Sequence, residues 1–336
     1  MVIVLVMLEQ PHIDRRLSVA PMMGYTDRHG RFFLRQFTRR TLLYTEMIAT
    51  GQIIHGDASR FLNFDQQESP IALQLGGADP KDLAVCAKTG ARFGYNEINL
   101  NIGCPSKRVN SGQFGVCLMA KPILVADCIK AMADVSGVPV TVKCRLGIYG
   151  SESYDQLHEF VNLIIDAGAE SIIVHARTAV LGGLSPKENR EIPPLRHDWV
   201  WRLKSEISSA KIVINGGINS LADANSHLDY VDGVMIGRAA ISNPMMLSGA
   251  DQNIFGESPM PIIREQVAEN MLRYIDTELN SGTRLGSITR HMFGLFQGRP
   301  AARMWRRYLS EHSNSSDAGR DVVEKALSLM NETAHI

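Results

Sequence analysis

The chain has 336 residues, 45% hydrophobic and 21% charged, with 35 basic and 35 acidic side chains and zero formal net charge. That composition excludes a disordered chain and calls for one large domain or two unequal ones; neutrality removes any global argument for a nucleic-acid partner, so such a case must rest on local charge. Five cysteines without CxxC or Cys/His spacing argue against a zinc site or a disulfide framework and suit a reducing cytoplasm.

The opening MVIVLVML is apolar, but it lacks a basic flank and is too short to span a bilayer. It reads as a frayed extra strand or as the product of an upstream start, with Met7 as the alternative initiator. No other segment has transmembrane length. The expected protein is soluble, cytoplasmic and monomeric, with no metal, membrane or DNA partner.

Apolar, β-branched runs then recur at Ser18–Met22, Leu42–Glu46, Ile71–Leu75, Glu97–Ile102, Pro139–Arg145, Ser171–His175, Lys211–Asn215 and Gly233–Ile236. Helix-like segments with capping signals separate them, such as DPKDLAVCAKTG and SYDQLHEFVNLIIDAG. Near-continuous apolar strands joined by crossover helices imply a parallel sheet covered on both faces. Eight such units fit an α/β fold of the (β/α)8 TIM-barrel type, expected over residues 1–245. The alternative is a doubly wound sheet, but no G-x-G-x-x-G follows the first strand. Beyond Asn243-Pro244 only helical periodicity remains, with Ile263, Val267, Met271, Ile275 and Leu279 on one face. The span 282–310 carries Arg284, Arg290, Arg299, Arg303, Arg306 and Arg307 and no acidic residue. An all-helical domain with a basic surface is therefore expected over residues 246–336. Arg28, Arg31, Arg35 and Arg39 also fall at helical spacing, and read as a solvated helix face.

Catalytic groups of a (β/α)8 barrel sit at the C-terminal ends of its strands. Those ends carry Pro21-Met22, Glu46, Gln74, Asn99, Asn101, Cys104, Lys143, Arg145, His175, Arg177, Asn215-Gly216-Gly217 and Gly237-Arg238. INGGI and IGR place glycines after the last two strands, where backbone amides approach an anion closely; this is the usual phosphate site of the fold. Arg238 adds a charge-assisted donor. Lys143 and His175 need anionic or hydrogen-bonding partners, which the edge of a flavin ring supplies, and Gln74 can bond that edge in either direction. Cys86, Cys128 and Cys144 fit buried structural roles. Cys104 lies past a strand end among polar residues, between Gly103 and Pro105. With no histidine at a readable spacing, proton donation suits it better than nucleophilic attack. Cys117 is expected to pack where the loop returns to helix.

Ten blocks, among them SVAPMMGYTDRHGRFF, ALQLGG, EINLNIGCPSKRVNSGQFGVCLM, VTVKCRLGI, GLSPKENREIPPLR, DGVMIGRAA and ITRHMFGLFQGRPAARMWRRYLSE, closely resemble the flavin-dependent tRNA-dihydrouridine synthases, A-type branch. The resemblance runs from about Leu17 to Glu311. It implies FMN in the barrel, NADPH as electron source, and reduction of the uridine C5–C6 bond in the tRNA D-loop at positions 20 and 20a. It also implies hydride delivery from flavin N5 to C6 and protonation of C5 by Cys104. FMN would be held by Ala20, Pro21, Met22, Gln74, Lys143, His175, Asn215, Gly216, Gly217, Gly237 and Arg238. Asn101 would lie beside the base, and Lys187, Arg190, Arg303 and Arg306 would contact tRNA. The loop bearing Gly112 and Gly115 would close over the base.

Four positions depart from the branch pattern: Thr178 stands for a usual lysine, Val180 for a tryptophan, Lys107 for an aspartate, and Gly24-Tyr25 for an acidic-aromatic pair. None falls in the flavin set. Two alternatives share some of these features. An FMN oxidoreductase of a small molecule, related to dihydroorotate dehydrogenases or ene-reductases, leaves the arginine-rich domain without a role. A non-catalytic tRNA-binding factor leaves the lysine, histidine and glycine set without one.

Overall fold

The computed structural model describes residues 13–334, so the apolar opening and the choice of initiator lie outside the described residues. Eight parallel strands close in sequence order into a barrel: β1 Leu17–Val19, β2 Leu42–Ala49, β3 Ile71–Gly76, β4 Glu97–Asn101, β5 Val140–Arg145, β6 Ser171–His175, β7 Lys211–Asn215 and β8 Gly233–Ile236. β1 closes the ring on β8, with Ser18 opposite Met235. This is the expected TIM barrel, and closure rules out the open doubly wound sheet. Among the described residues no helix is long and apolar enough to cross a membrane.

The strands form where apolar side chains must be buried on both faces. Every residue of β3, β4 and β6 is buried. Inside the ring Tyr44, Ala72, Ile173, Val213 and Met235 pack on one another. Outside, helices such as Pro80–Phe93 cover the strands; that helix starts at Asp79, which accepts from the Lys81 and Asp82 amides, and stops at Gly94 with φ +96°. β1 ends earlier than expected. Ala20 still donates to the Ile236 carbonyl at 2.8 Å, but Pro21 has no N–H with which to continue the ladder. β2 runs longer, to Ala49, past an irregularity between Tyr44 and Met47.

The expected solvated face of Arg28, Arg31, Arg35 and Arg39 is corrected by the structure. Arg31 and Arg35 are buried on the helix Arg28–Arg35. Arg31 Nε lies 2.6 Å from Glu68 Oε2, and Arg35 donates to the carbonyls of Thr38, Thr41, Glu68 and Pro70. Arg28 pairs with Glu278. Only Arg39 stays mainly in solvent.

Residues 264–334 form four helices, Arg264–Asn280, Leu285–Met292, Ala302–His312 and Arg320–Ala334. Val267, Met271 and Ile275 are buried as expected, whereas Ile263 is 57% exposed because it caps the first helix rather than joining it. Trp305 anchors the unit: it is fully buried and its Nε1 donates to the Met292 carbonyl at 2.9 Å. The helices meet the barrel along helix Arg28–Arg35 and also where Gly294 lies against Ile241 and Pro244. Phe32 stacks on Tyr274 at 3.9 Å, and His29 Nδ1 lies 2.7 Å from the Tyr274 hydroxyl. Asp27, which caps helix Arg28–Arg35, also binds Arg290 and His291. Burial pushes the Asp27 carboxyl upward, but the His291 hydrogen bond and charge hold it well below the usual range.

Candidate active site

The β4 end builds the turn that carries Cys104. Asn101 Oδ1 accepts from the Gly103 and Cys104 amides at 3.1 and 2.9 Å, folding the chain back across the strand end. Asn101 Nδ2 donates to Gln74 Oε1 at 2.9 Å, so its amide is tied into the protein on both sides. Gly103 approaches the Cys144 backbone so closely that an added Cβ would lie 3.3 Å from its carbonyl carbon. Arg145, 4% exposed, then clamps the turn: Nε donates to the Gly103 carbonyl at 2.9 Å, and Nη1 to the carbonyls of Thr178 and Asn189, each at 3.0 Å. One guanidinium thus binds the loops after β4 and β6 together. The cost of burying it, with a smaller push from Arg190 and Arg177, lowers its pKa to about 10, still cationic at neutral pH.

The Cys104 thiol is half-buried and lies 3.5 Å from Ser106 Oγ. The segment behind it is more ordered than a long polar loop: Lys107–Ser111 and Gly115–Ala120 form helical turns around buried Val109, Val116 and Leu118. Gly115 is required: it has φ +74°, and an added Cβ would lie 2.8 Å from the Cys104 carbonyl oxygen, with Val109 nearer still. Cys117 sits in the second turn with its thiol on the Phe114 carbonyl, and burial raises its pKa. Cys86, Cys128 and Cys144 are buried, and burial pushes each thiol up to about 12.

Lys143 lies two residues before the end of β5, and His175 ends β6. Lys143 Nζ donates to Asn215 Oδ1 at 3.0 Å. Burial, reinforced by the Arg145 charge, lowers its pKa to about 8. His175 is driven well below its usual value by burial and by the Arg145 and Lys143 cations, so it is neutral. Its Nδ1 is buried without a protein partner, an orphan that calls for a ligand atom. Gln74 donates to Asn99 at 2.8 Å and accepts from Asn101, leaving one hydrogen and one lone pair free.

After β7 the chain turns through Gly216 and Gly217, at φ +112° and +76°. A Cβ on Gly217 would lie 2.5 Å from Leu195 Cδ1. After β8, an added Cβ at Gly237 would meet no protein atom within 4 Å, so the backbone there borders open space. Arg238 is exposed and bound to Glu191, and Arg190 lies within electrostatic reach of both Arg238 and Cys104. Ala20, Pro21 and Met22 complete the rim beyond β1.

Gln74, Asn101, Lys143, His175 and Asn215 therefore lie near the C-terminal ends of consecutive strands, with Cys104 on the turn after β4: Asn101 is in register with Lys143, Arg145 with His175, and His175 with Asn215. Lys187 is exposed and Arg190 closes the turn Glu188–Arg190 on the loop after β6. Arg303 and Arg306 lie apart, exposed on helix Ala302–His312. The sequence places Arg145 among the strand-end residues but gives it no role, and Asn189 is missed. Asn189 is fully buried and binds both the amide and the carbonyl of Val180. A charged residue closing an apolar strand was the available signal for Arg145; for Asn189 there was none.

This site fits FMN. It offers an orphaned imidazole nitrogen and a cation for the ring edge, and glycine amides and arginine for a phosphate. The Lys143 proton gives a test. Below about 8 the free protein keeps it; above, ligand binding must restore it. Riboflavin affinity is therefore expected to hold steady near pH 7 and to fall from about pH 8 upward, with the fall absent in Lys143→Met. Fluorescence titration across pH checks this, and a flat wild-type profile would overturn it.

Comparisons with known proteins agree with the geometry. A solved old yellow enzyme homologue from Zymomonas mobilis shares the fold, with TM-score 0.52 and 14% identity, covering 74% of this chain and 90% of that one. A tRNA-dihydrouridine(20/20a) synthase of Vibrio vulnificus (strain CMCP6) is 53% identical over 313 residues, 93% of this chain and 96% of the relative. Another, of Escherichia coli (strain K12), is 54% identical over 320 residues, 95% of this chain and 92% of the relative. Residues 18–331 match the model of the dihydrouridine synthase (Dus) family, and to that family this chain belongs.

Proposed function

We propose that the protein reduces uridine to 5,6-dihydrouridine in the D-loop of tRNA, at positions 20 and 20a, using FMN and NADPH. The observation that carries this reading is near-full-length identity of just over half with relatives named for that activity. The chemistry of the barrel mouth supports it. Bound there, FMN supplies the transfer of two electrons from NADPH to the uracil C5–C6 bond, which no side chain of the site provides.

The remaining work falls to the chain itself. Lys143 presents a cation and His175 a neutral imidazole to the ring edge, with Gln74 beside them. Ala20, Pro21 and Met22 line the rim, Asn215 orients Lys143, and Gly216, Gly217, Gly237 and Arg238 hold the phosphate. Cys104 keeps a proton on Sγ and donates it to C5. Asn101 and Arg145 hold the Cys104 turn in place, and Asn101 borders the base. The target uridine must leave the RNA stack to reach the mouth. Lys187 and Arg190, with Arg303 and Arg306 of the helical domain 246–336, position the RNA through phosphates, which orient it without reading sequence. We take the enzyme to act as a cytoplasmic monomer.

Mapping dihydrouridine by mass spectrometry in tRNA from cells with and without this gene tests reaction, substrate and position together. Loss confined to positions 20 and 20a is expected. Unchanged dihydrouridine there would overturn the reading.

A further inference from the structure

We propose that His197 is a positioning residue for the flavin phosphate, fixing the Gly216–Gly217 peptide from behind, with Trp201 and His227 fixing His197 in turn. His197 Nε2 lies 2.8 Å from the Gly216 carbonyl oxygen. A carbonyl only accepts, so this nitrogen carries the hydrogen. The Gly216 carbonyl and the Gly217 N–H belong to one trans peptide and point in opposite directions. Tying the carbonyl to His197 therefore turns the Gly217 N–H away from the helix and toward the mouth. Without that tie the plane is free to flip, because two consecutive glycines at positive φ offer little resistance.

The neighbouring planes are held in the same manner. The Asn215 carbonyl accepts from the Ala176 amide at 2.8 Å, and the Gly217 carbonyl from Asn219 Nδ2 at 2.8 Å. The amides of Gly216 and Gly217 have no acceptor among the described residues. Carbonyls engaged and amides free is the arrangement an anion requires.

The backing is itself built. His197 opens the helix His197–Glu206, and the Arg196 amide before it donates to the Ala176 carbonyl at 2.9 Å. The His227 ring meets His197 edge-on, with centroids 4.7 Å apart and planes at 80°. Trp201 Nε1 donates to His227 Nδ1 at 3.2 Å, which places the His227 hydrogen on Nε2. Burial and the neighbouring His197 lower the His227 pKa, keeping that ring neutral. Nothing in the catalytic reading uses these three residues.

The inference rests on the loop after β7 being the FMN phosphate site, and a pair of ligands separates the two ideas. The full-length apo-protein is titrated with FMN and with riboflavin, which lacks the phosphate, by flavin fluorescence. Wild type is expected to bind FMN more tightly than riboflavin. His197→Ala should weaken FMN binding about fivefold to tenfold, the loss of one hydrogen bond, and leave riboflavin unchanged. His197→Gln retains a donor and should recover most of the affinity. Should the alanine protein not fold, His197→Phe fills the space without a donor and carries the same expectation. Equal losses for both ligands, or unchanged FMN affinity, would overturn the positioning role. No preference of wild type for FMN over riboflavin would instead overturn the phosphate-site reading on which it stands.

Discussion

Cys104→Ala is expected to lower dihydrouridine formation by roughly 10²- to 10⁴-fold, the range for loss of a positioned general acid, while FMN affinity and flavin reduction by NADPH stay at wild-type levels. The separation follows from how the turn is built. Its contacts are made by backbone: the Gly103 and Cys104 amides on Asn101, the Gly103 carbonyl on Arg145, and the Cys104 carbonyl on the Val116 amide at 3.2 Å. Alanine keeps all of them and removes only the thiol. Asn101→Ala does the reverse, leaving the thiol and releasing two amides, and should also slow the proton step. Single-turnover assays with reduced flavin and unmodified tRNA distinguish the two steps. A Cys104→Ala protein that forms dihydrouridine at the wild-type rate would move the acid elsewhere, with Cys117 the next thiol along the loop.

How much of this was legible in the sequence depends on what kind of partner a residue has. Apolar runs located all eight strands, because burial on both faces leaves the same signature wherever the strand lies in the ring. Polar residues at strand ends gave away the mouth for the same reason: Lys143 and His175 have no cause to close an apolar strand unless something binds there. Arg31 and Arg35 were misread because helical spacing says where a side chain points along its own helix, but not what lies opposite. Their distant partners, Glu68 and the Pro70 carbonyl, come from the loop before β3, and the Thr38 and Thr41 carbonyls from the turn after the helix. Asn189 and His197 share a deeper difficulty. Each acts mainly on backbone carbonyls or amides, which every residue has, so the sequence carries no mark of the contact. Ile263 shows the opposite error, a periodic position that falls one residue outside the helix it was assigned to.

The barrel floor provides the second large effect. Glu97, fully buried on β4, accepts from Arg15 Nε at 2.8 Å and from the hydroxyls of Tyr44 and Thr141, both at 2.6 Å. Arg15, 8% exposed, reaches Glu170 with its other arm at 2.9 Å. Glu97→Leu removes the carboxylate but leaves a buried guanidinium and two hydroxyls without their acceptor, and is expected to destabilise by about 3–5 kcal/mol. The loss should appear as a melting temperature lower by roughly 5–15 °C. Arg15→Met strands the carboxylate instead and should cost a comparable amount. The double variant removes both charges, so its loss should be smaller than the sum of the singles, a coupling that a double-mutant cycle reads directly. Strict additivity would show that the pair does not act as a unit. The consequence extends to the mouth, because Thr141 also accepts from Asn99 at 2.9 Å, Asn99 from Gln74 at 2.8 Å, and Gln74 from Asn101. One file of hydrogen bonds thus rises through the barrel from a buried carboxylate to the Cys104 turn. Dihydrouridine formation by the double variant, measured well below its melting temperature, should therefore fall further than its residual stability alone accounts for.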